Sequence, residues 1–157
     1  MSQSVFNIKI AGLGGMGVLS ASHVLAQAAF LAGHDVKKAE VHGMSQRGGS
    51  VASDIRFGLR VLSPMIPPGE IDFLLALAPE WTELHRGELR PGGRLIVPDD
   101  VDIARVPNKR SLNVAMLGVL SRCLPLPEEH WLSALDAAFP EKLHASNREA
   151  FRLGAEQ

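Results

Sequence analysis

Two glycine-rich segments hold the residues of this sequence best suited to chemistry. Gly12, Gly14 and Gly17 match G-x-G-x-x-G, with Gly15 beside them. Between a strand and a helix, such a loop turns tightly and lets a phosphate approach the backbone. The helix then offers unpaired N–H groups and the positive end of its dipole. A conventional dinucleotide site adds an acidic residue at the end of the second strand, roughly 20 residues on, to hold the ribose. Glu40 has suitable spacing and Asp35 is less well placed. The same glycines would equally serve to pack a helix tightly on a strand, or to receive some other anion. Taken alone, this loop decides nothing.

The second segment is Glu40-Val41-His42-Gly43-Met44-Ser45-Gln46-Arg47-Gly48-Gly49-Ser50-Val51. Four hydrogen-bonding side chains among three glycines within ten residues is denser than solvation alone requires. Arg47 can hold a carboxylate or phosphate with two parallel bonds, while His42, Ser45 and Gln46 can donate or accept. An anion-binding or subunit-contact loop and an ordinary surface turn both fit this composition. Glu40 is most simply an ion-pair partner for Lys37, Lys38 or Arg47.

The flanking sequence shows what must position these loops. Residues 5–11 alternate and are β-branched, which predicts a strand, and 18–32 predict a helix buried on more than one face and capped by Gly33. With a strand over 34–41, they make one right-handed βαβ unit. Val51, Ser53, Ile55 and Phe57 alternate with polar residues as in a half-buried strand, and Gly58-Leu59 before 60–62 suggests an antiparallel hairpin return. A continuous apolar run over 72–77 reads as a covered strand. A helix over 80–89 follows, ended by Pro91-Gly92-Gly93, then a strand over 94–97 and helices over 113–124, 127–139 and 147–153. The expected fold is α/β: a three-layer single domain spanning 1–157, with a mixed, mostly parallel sheet and a helical C-terminal third.

Composition removes several classes. The formal charge of −1 and the 5% aromatic content, with no Tyr, argue against a nucleic-acid groove or a base-stacking platform. No stretch approaches the roughly 20 apolar residues that span a bilayer, and the N-terminus lacks a basic signal-peptide region, so a cytoplasmic location is expected. Cys123 is the single cysteine. That excludes an internal disulfide, and it excludes an iron–sulfur cluster held by this chain alone, since clusters take about four thiolates. In an apolar helix between Leu120 and Leu124, Cys123 reads as an inert core thiol. His23, His34, His85, His130 and His144 lack metal-ligand spacing and read as structural or solvated.

Gly-Leu-Gly-Gly-Met-Gly-Val-Leu from Gly12 and the segment from Glu40 to Val51 closely resemble the signature of one family. It is the gamma-type subunit or domain of 2-oxoacid:ferredoxin oxidoreductases, most closely that of the indolepyruvate type. Arg56-Phe57-Gly58, Ser63-Pro64-Met65-Ile66, Pro91-Gly92-Gly93, Asn113 with Gly118, and Asn147 with Ala150-Phe151 extend the match from about Ile8 to Gly154. One residue departs: the family usually has Gln where Met16 stands, which puts a polar contact from that position in doubt.

The resemblance implies a large partner subunit that carries thiamine diphosphate, Mg²⁺ and iron–sulfur clusters, in a hetero-oligomer. That complex converts a 2-oxoacid and CoA to acyl-CoA, CO2 and reduced ferredoxin. On this reading the present chain binds none of those cofactors alone and supplies neither a catalytic residue nor a metal ligand. Gly12, Gly14, Gly15 and Gly17 would take the phosphates of CoA, the co-substrate. Glu40, His42, Gln46, Arg47, Gly48 and Gly49 would form a ligand or interface loop, with His42 as a capping or interface residue. Two alternatives stay open: a free-standing Rossmann-like enzyme using NAD or S-adenosylmethionine, and a purely structural assembly subunit.

Overall fold

The computed structural model describes residues 5–42 and 49–157. Its strands are β1 (Val5–Leu13), β2 (Asp35–His42), β3 (Ser50–Gly58), β4 (Ile71–Ala76) and β5 (Leu89–Ile96). They form one sheet in the order β2-β3-β1-β4-β5. β3 is antiparallel to both β2 and β1, whereas β1 with β4 and β4 with β5 pair in parallel. Four strands therefore point one way and β3 the other, which agrees with the mixed, mostly parallel sheet read from the sequence. The helices are α1 (Val18–Leu31), α2 (Pro79–His85), α3 (Leu112–Ser121), α4 (Glu128–Ala138) and α5 (His144–Ala155), the last three forming the helical C-terminal third.

Side chains alternate across the sheet, so each strand divides its residues between two layers. Ile8, Ile10, Ile55 and Phe57 are fully buried in one hydrophobic cluster with Val24, Leu25 and Ala28 of α1. Trp131 of α4 and Phe151 of α5 join the same cluster with ring centroids 5.5 Å apart. Fully burying a large apolar side chain is worth roughly 1.5–3 kcal/mol, so this layer holds most of the apolar stabilisation. Lys9 and Asp54 are partners in the register and point to the opposite face, where their side chains meet at 3.1 Å. Lys9 also lies 3.7 Å from Glu88, which places the 3-10 turn after α2 on that second face.

Several local expectations need correcting. β1, α1 and β2 do not make a simple βαβ unit, because β3 lies between β1 and β2. The hairpin joins β2 to β3 across the second glycine-rich loop, and no strand covers 60–62. Asp35 explains this: its carboxylate accepts the Val61 N–H at 2.7 Å, a bond a returning strand would have used. Pro91-Gly92-Gly93 does not end a helix. It lies inside β5, where the pairing with β4 slips between Ile71↔Leu89 and Phe73↔Arg94, a bulge that absorbs the extra residues. Cys123 lies beyond α3, half-buried, and its sulfur takes an N–H from Arg94 at 2.9 Å; it is not a core thiol within a helix. The reading of Gly33 holds: His34 N–H bonds Ala29 O at 3.1 Å and Gly33 N–H bonds Phe30 O at 2.9 Å, the paired bonds of a Schellman end.

Asp136 on α4 and Arg148 on α5 tie the two helices together. The Arg148 hydrogen bond holds the Asp136 carboxyl below the usual carboxylate range, and the charges of Arg148 and His144 add to it against a desolvation effect that opposes them. A carboxylate with a lowered folded pKa gives stability that is present above its unfolded pKa and lost as pH falls through the folded one. Acidification below about pH 4 is thus expected to lower the urea midpoint. Asp136→Asn should make that fall shallower, and equal slopes for both chains would contradict it.

Candidate functional site

Strand direction brings the two singled-out loops to one end of the sheet. β1 and β2 both finish there and β3 begins there: Leu13 pairs with Ser50 and His42 with Val51. A hydrogen bond joins the loops, from Gly14 N–H to Gly49 O at 2.9 Å. Residues 43–48, with Gln46, Arg47 and Gly48 among them, lie outside the described residues. His42 and Gly49 therefore mark the limits of what the structure places in that loop.

The glycine loop ends β1 and opens α1 directly. Gly17 is the N-cap residue of α1, with φ of 84°, and no side chain caps that end. A Cβ at Gly17 would overlap Asn113 Nδ2 and lie 3.0 Å from its Cγ. Glycine is therefore needed here both for the left-handed backbone and for close approach. Asn113, 5% exposed, donates from Nδ2 to Gly17 O at 3.1 Å and accepts the Val114 N–H at 2.9 Å through Oδ1. One buried side chain thus fastens the loop to the start of α3. The sulfur of Met16 accepts the Leu13 N–H at 3.3 Å. A thioether thus makes the contact within the loop.

Asn113 also brings the charged residues before α3 to the loop. A cleft of about 480 Å³ opens beside the loop, with Gly15, Met16, Gly17 and Ser20 on one side and Lys109, Arg110 and Phe139 on the other. Lys109 and Arg110 are exposed, and neither forms an ion pair among the described residues. The first turn of α1 has no acidic residue. The uncapped α1 N-terminus and two exposed cations border a cleft that Met16, Leu77, Leu112 and Phe139 also line, an arrangement that suits a ligand with both an anionic group and an apolar part. The signal was in the sequence as a Lys-Arg pair, but nothing local linked it to a loop more than 90 positions earlier.

The acidic residue of a dinucleotide site is not beside this cleft. Glu40 sits on β2, separated from β1 by β3 and so about 10 Å away across the sheet. Its carboxylate is bound by Lys38 at 2.9 Å. Among the described residues, no group of three or more His, Cys, Asp or Glu could hold a metal, and no helix is long and apolar enough to cross a membrane. With one cysteine, the chain does not fit an iron–sulfur cluster of its own.

Residues 7–157 match the family described as pyruvate ferredoxin/flavodoxin oxidoreductase. The chain belongs to that family. It is 49% identical over 192 residues to "Indolepyruvate oxidoreductase subunit IorB" of Archaeoglobus fulgidus, covering 96% of this chain and 94% of the relative. It is 30% identical to "Ketoisovalerate oxidoreductase subunit VorA" of Methanothermobacter thermautotrophicus, over 95% of this chain but 35% of that one. In fold it is similar to a 2-oxoglutarate:ferredoxin oxidoreductase from Magnetococcus marinus, solved with 2-oxoglutarate, coenzyme A and succinyl-CoA bound. That likeness has a TM-score of 0.85 at 22% identity and covers 99% of this chain and 31% of the other. This family of oxidoreductases therefore includes chains that this one matches nearly end to end and longer chains in which the same unit is about a third.

Proposed function

We propose that this chain is the small subunit of a cytoplasmic, thiamine diphosphate-dependent 2-oxoacid:ferredoxin oxidoreductase acting on aryl pyruvates, and that its glycine-loop cleft takes the phosphates of CoA. The observation that carries the second half is the convergence of Gly15, Gly17 and the α1 N-terminus with Lys109 and Arg110 on one cleft. The first half rests on family membership and on the near-complete match to an indolepyruvate oxidoreductase subunit. The large partner supplies thiamine diphosphate, Mg²⁺ and the iron–sulfur clusters, and ferredoxin accepts the electrons. In the overall reaction, 2-oxoacid and CoA become acyl-CoA, CO2 and a proton, and two electrons pass to ferredoxin.

The work of this chain's own residues is then positional. Lys109 and Arg110 offset phosphate charge, the α1 N–H groups accept close approach through Gly15 and Gly17, and Asn113 holds the two halves together. With phosphates anchored here, the thiol of CoA is directed to the partner's site, a gain in local concentration and not a chemical step.

The test is reconstitution. Indolepyruvate-dependent dye reduction is expected only when the chain is combined with its large subunit. In that complex, Lys109→Ala with Arg110→Ala should raise the KM for CoA about 10- to 100-fold, the loss of two charge-assisted contacts, with complex mass and oxoacid KM unchanged. Turnover by the chain alone would sink the subunit reading. An unchanged CoA KM would sink the phosphate assignment and leave a role in assembly only.

A further inference from the structure

At the end of the sheet opposite the glycine loop, the chain leaves β3 and crosses to β4 without regular structure. Nine residues of β3 put roughly 27 Å between the two ends. In this crossing, Leu59, Leu62 and Met65 are 94%, 80% and 69% exposed. Single exposed apolar side chains are ordinary, but three within seven residues of a fixed segment are not. Arg56, from β3, donates through Nη1 to Ser63 O at 2.8 Å and Met65 O at 3.2 Å, and through Nε to Asn7 Oδ1 at 2.8 Å. Asp35, from β2, holds Val61 N–H, and the Val61 side chain is buried between the exposed leucines. The segment has therefore lost its chain entropy on folding, which is the preorganisation that makes a loop a good binding element.

Size narrows the occupant. Three such side chains within seven residues expose on the order of 500 Å² of apolar surface, in the range of the roughly 300–600 Å² of the largest apolar patch on a typical monomer. A stable interface uses about 800 Å² per partner, so the patch suits an anchor within a larger contact and is too small for a self-sufficient homodimer face. In the longer relative, the matched unit is 35% of the chain, so it is joined there to further polypeptide; in the 49%-identical relative it stands alone. The unit is therefore part of a longer chain in one relative and a separate chain, named as a subunit, in the other. We propose that Leu59, Leu62 and Met65 are the anchor by which this chain docks in an apolar groove of its large partner subunit. This rests on the subunit reading above.

The experiment uses the complex co-expressed with its large subunit. Leu59→Ser, Leu62→Ser and Met65→Ser together should leave the isolated chain folded, with a Tm close to that of the wild type. They should weaken association about 100-fold or more, the effect of removing central apolar anchors. Dye reduction should be lost at concentrations that saturate the wild type and return with excess chain, at an unchanged KM for CoA because the cleft lies at the other end of the sheet. Arg56→Gln keeps the three side chains but releases their backbone, and about a 10-fold weakening is expected from the lost preorganisation. Association of the triple variant within twofold of wild type would overturn the proposal. So would a wild-type homodimer, seen by light scattering, that the triple variant abolishes. If the wild-type chain itself fails to join the large subunit, both readings fall. If it joins and the variant joins equally well, only the anchor is wrong.

Discussion

Gly154→Ala is expected to remove more than half of the chain's stability. α3 and α5 cross with their backbones in contact at Gly118 and Gly154. A Cβ on Gly154 would overlap the Ala115 carbonyl oxygen and lie 2.8 Å from its carbon. On Gly118 it would overlap the Phe151 carbonyl oxygen and lie 2.9 Å from Ala155 N. In each case the atoms struck are helix backbone, which cannot rotate away as a side chain can. Relief requires the helices to separate, and that opens the packing of Met116, Leu117, Ala150 and Phe151, all buried in the core. Overpacking commonly costs about 1–3 kcal/mol and more where backbone must move, against a total stability of roughly 5–15 kcal/mol. Chemical denaturation of Gly154→Ala should show a midpoint lowered by more than half, or no cooperative transition. Gly87→Ala is the control, since a Cβ there meets nothing within 4 Å. A Gly154→Ala chain as stable as the Gly87→Ala chain would show that α3 and α5 are less closely fitted than described.

In the assembled enzyme, Arg47→Ala is expected to cut turnover by tens- to thousands-fold while the chain stays folded. Arg47 lies outside the described residues, two positions before Gly49 in the sequence. Gly49 is bonded to the glycine loop through Gly14. A solvated Arg would matter little, since exposed ion pairs are worth about 0–1 kcal/mol. A desolvated one gripping a carboxylate or phosphate across a subunit boundary is worth roughly 2–5 kcal/mol when truncated. Arg47→Lys should restore part of the activity, because the charge remains and the planar fork is lost. A raised KM for CoA or oxoacid at intact complex mass would assign Arg47 to a ligand, and a dissociated complex would assign it to the interface. Unchanged KM and mass would make the loop ordinary surface.

Strand alternation and turn chemistry made the sheet readable from the sequence, because burial on one face imposes a period of two on β1 and β3. The misreadings have local causes. Gly58 looks like a hairpin turn, but the signal that it is not one lies in Asp35, which meets Val61 only in the folded chain. Pro91-Gly92-Gly93 looks like a helix stop, yet edge strands tolerate both residue types at a bulge. Lys109 and Arg110 were invisible as site residues, since Asn113 brings them to the glycine loop through a contact 96 residues apart in sequence. The close approach of α3 and α5 was unreadable for the same reason: Gly118 and Gly154 are separated by 36 positions, and neither shows alone that it faces the other.

The position of β3 also constrains what the glycine loop can evolve to bind. The slot next to β1 on its β2 side, where a dinucleotide fold places a parallel strand ending in the ribose acid, holds a strand that begins at the loop and runs away from it. Carboxylates gained on β2 would remain one strand too far from the phosphates. A carboxylate on β3 at the loop end would stand beside the phosphate turn itself and repel the anion. Strand order therefore keeps the strand-end position that a dinucleotide fold uses for the ribose acid one strand away from this glycine loop.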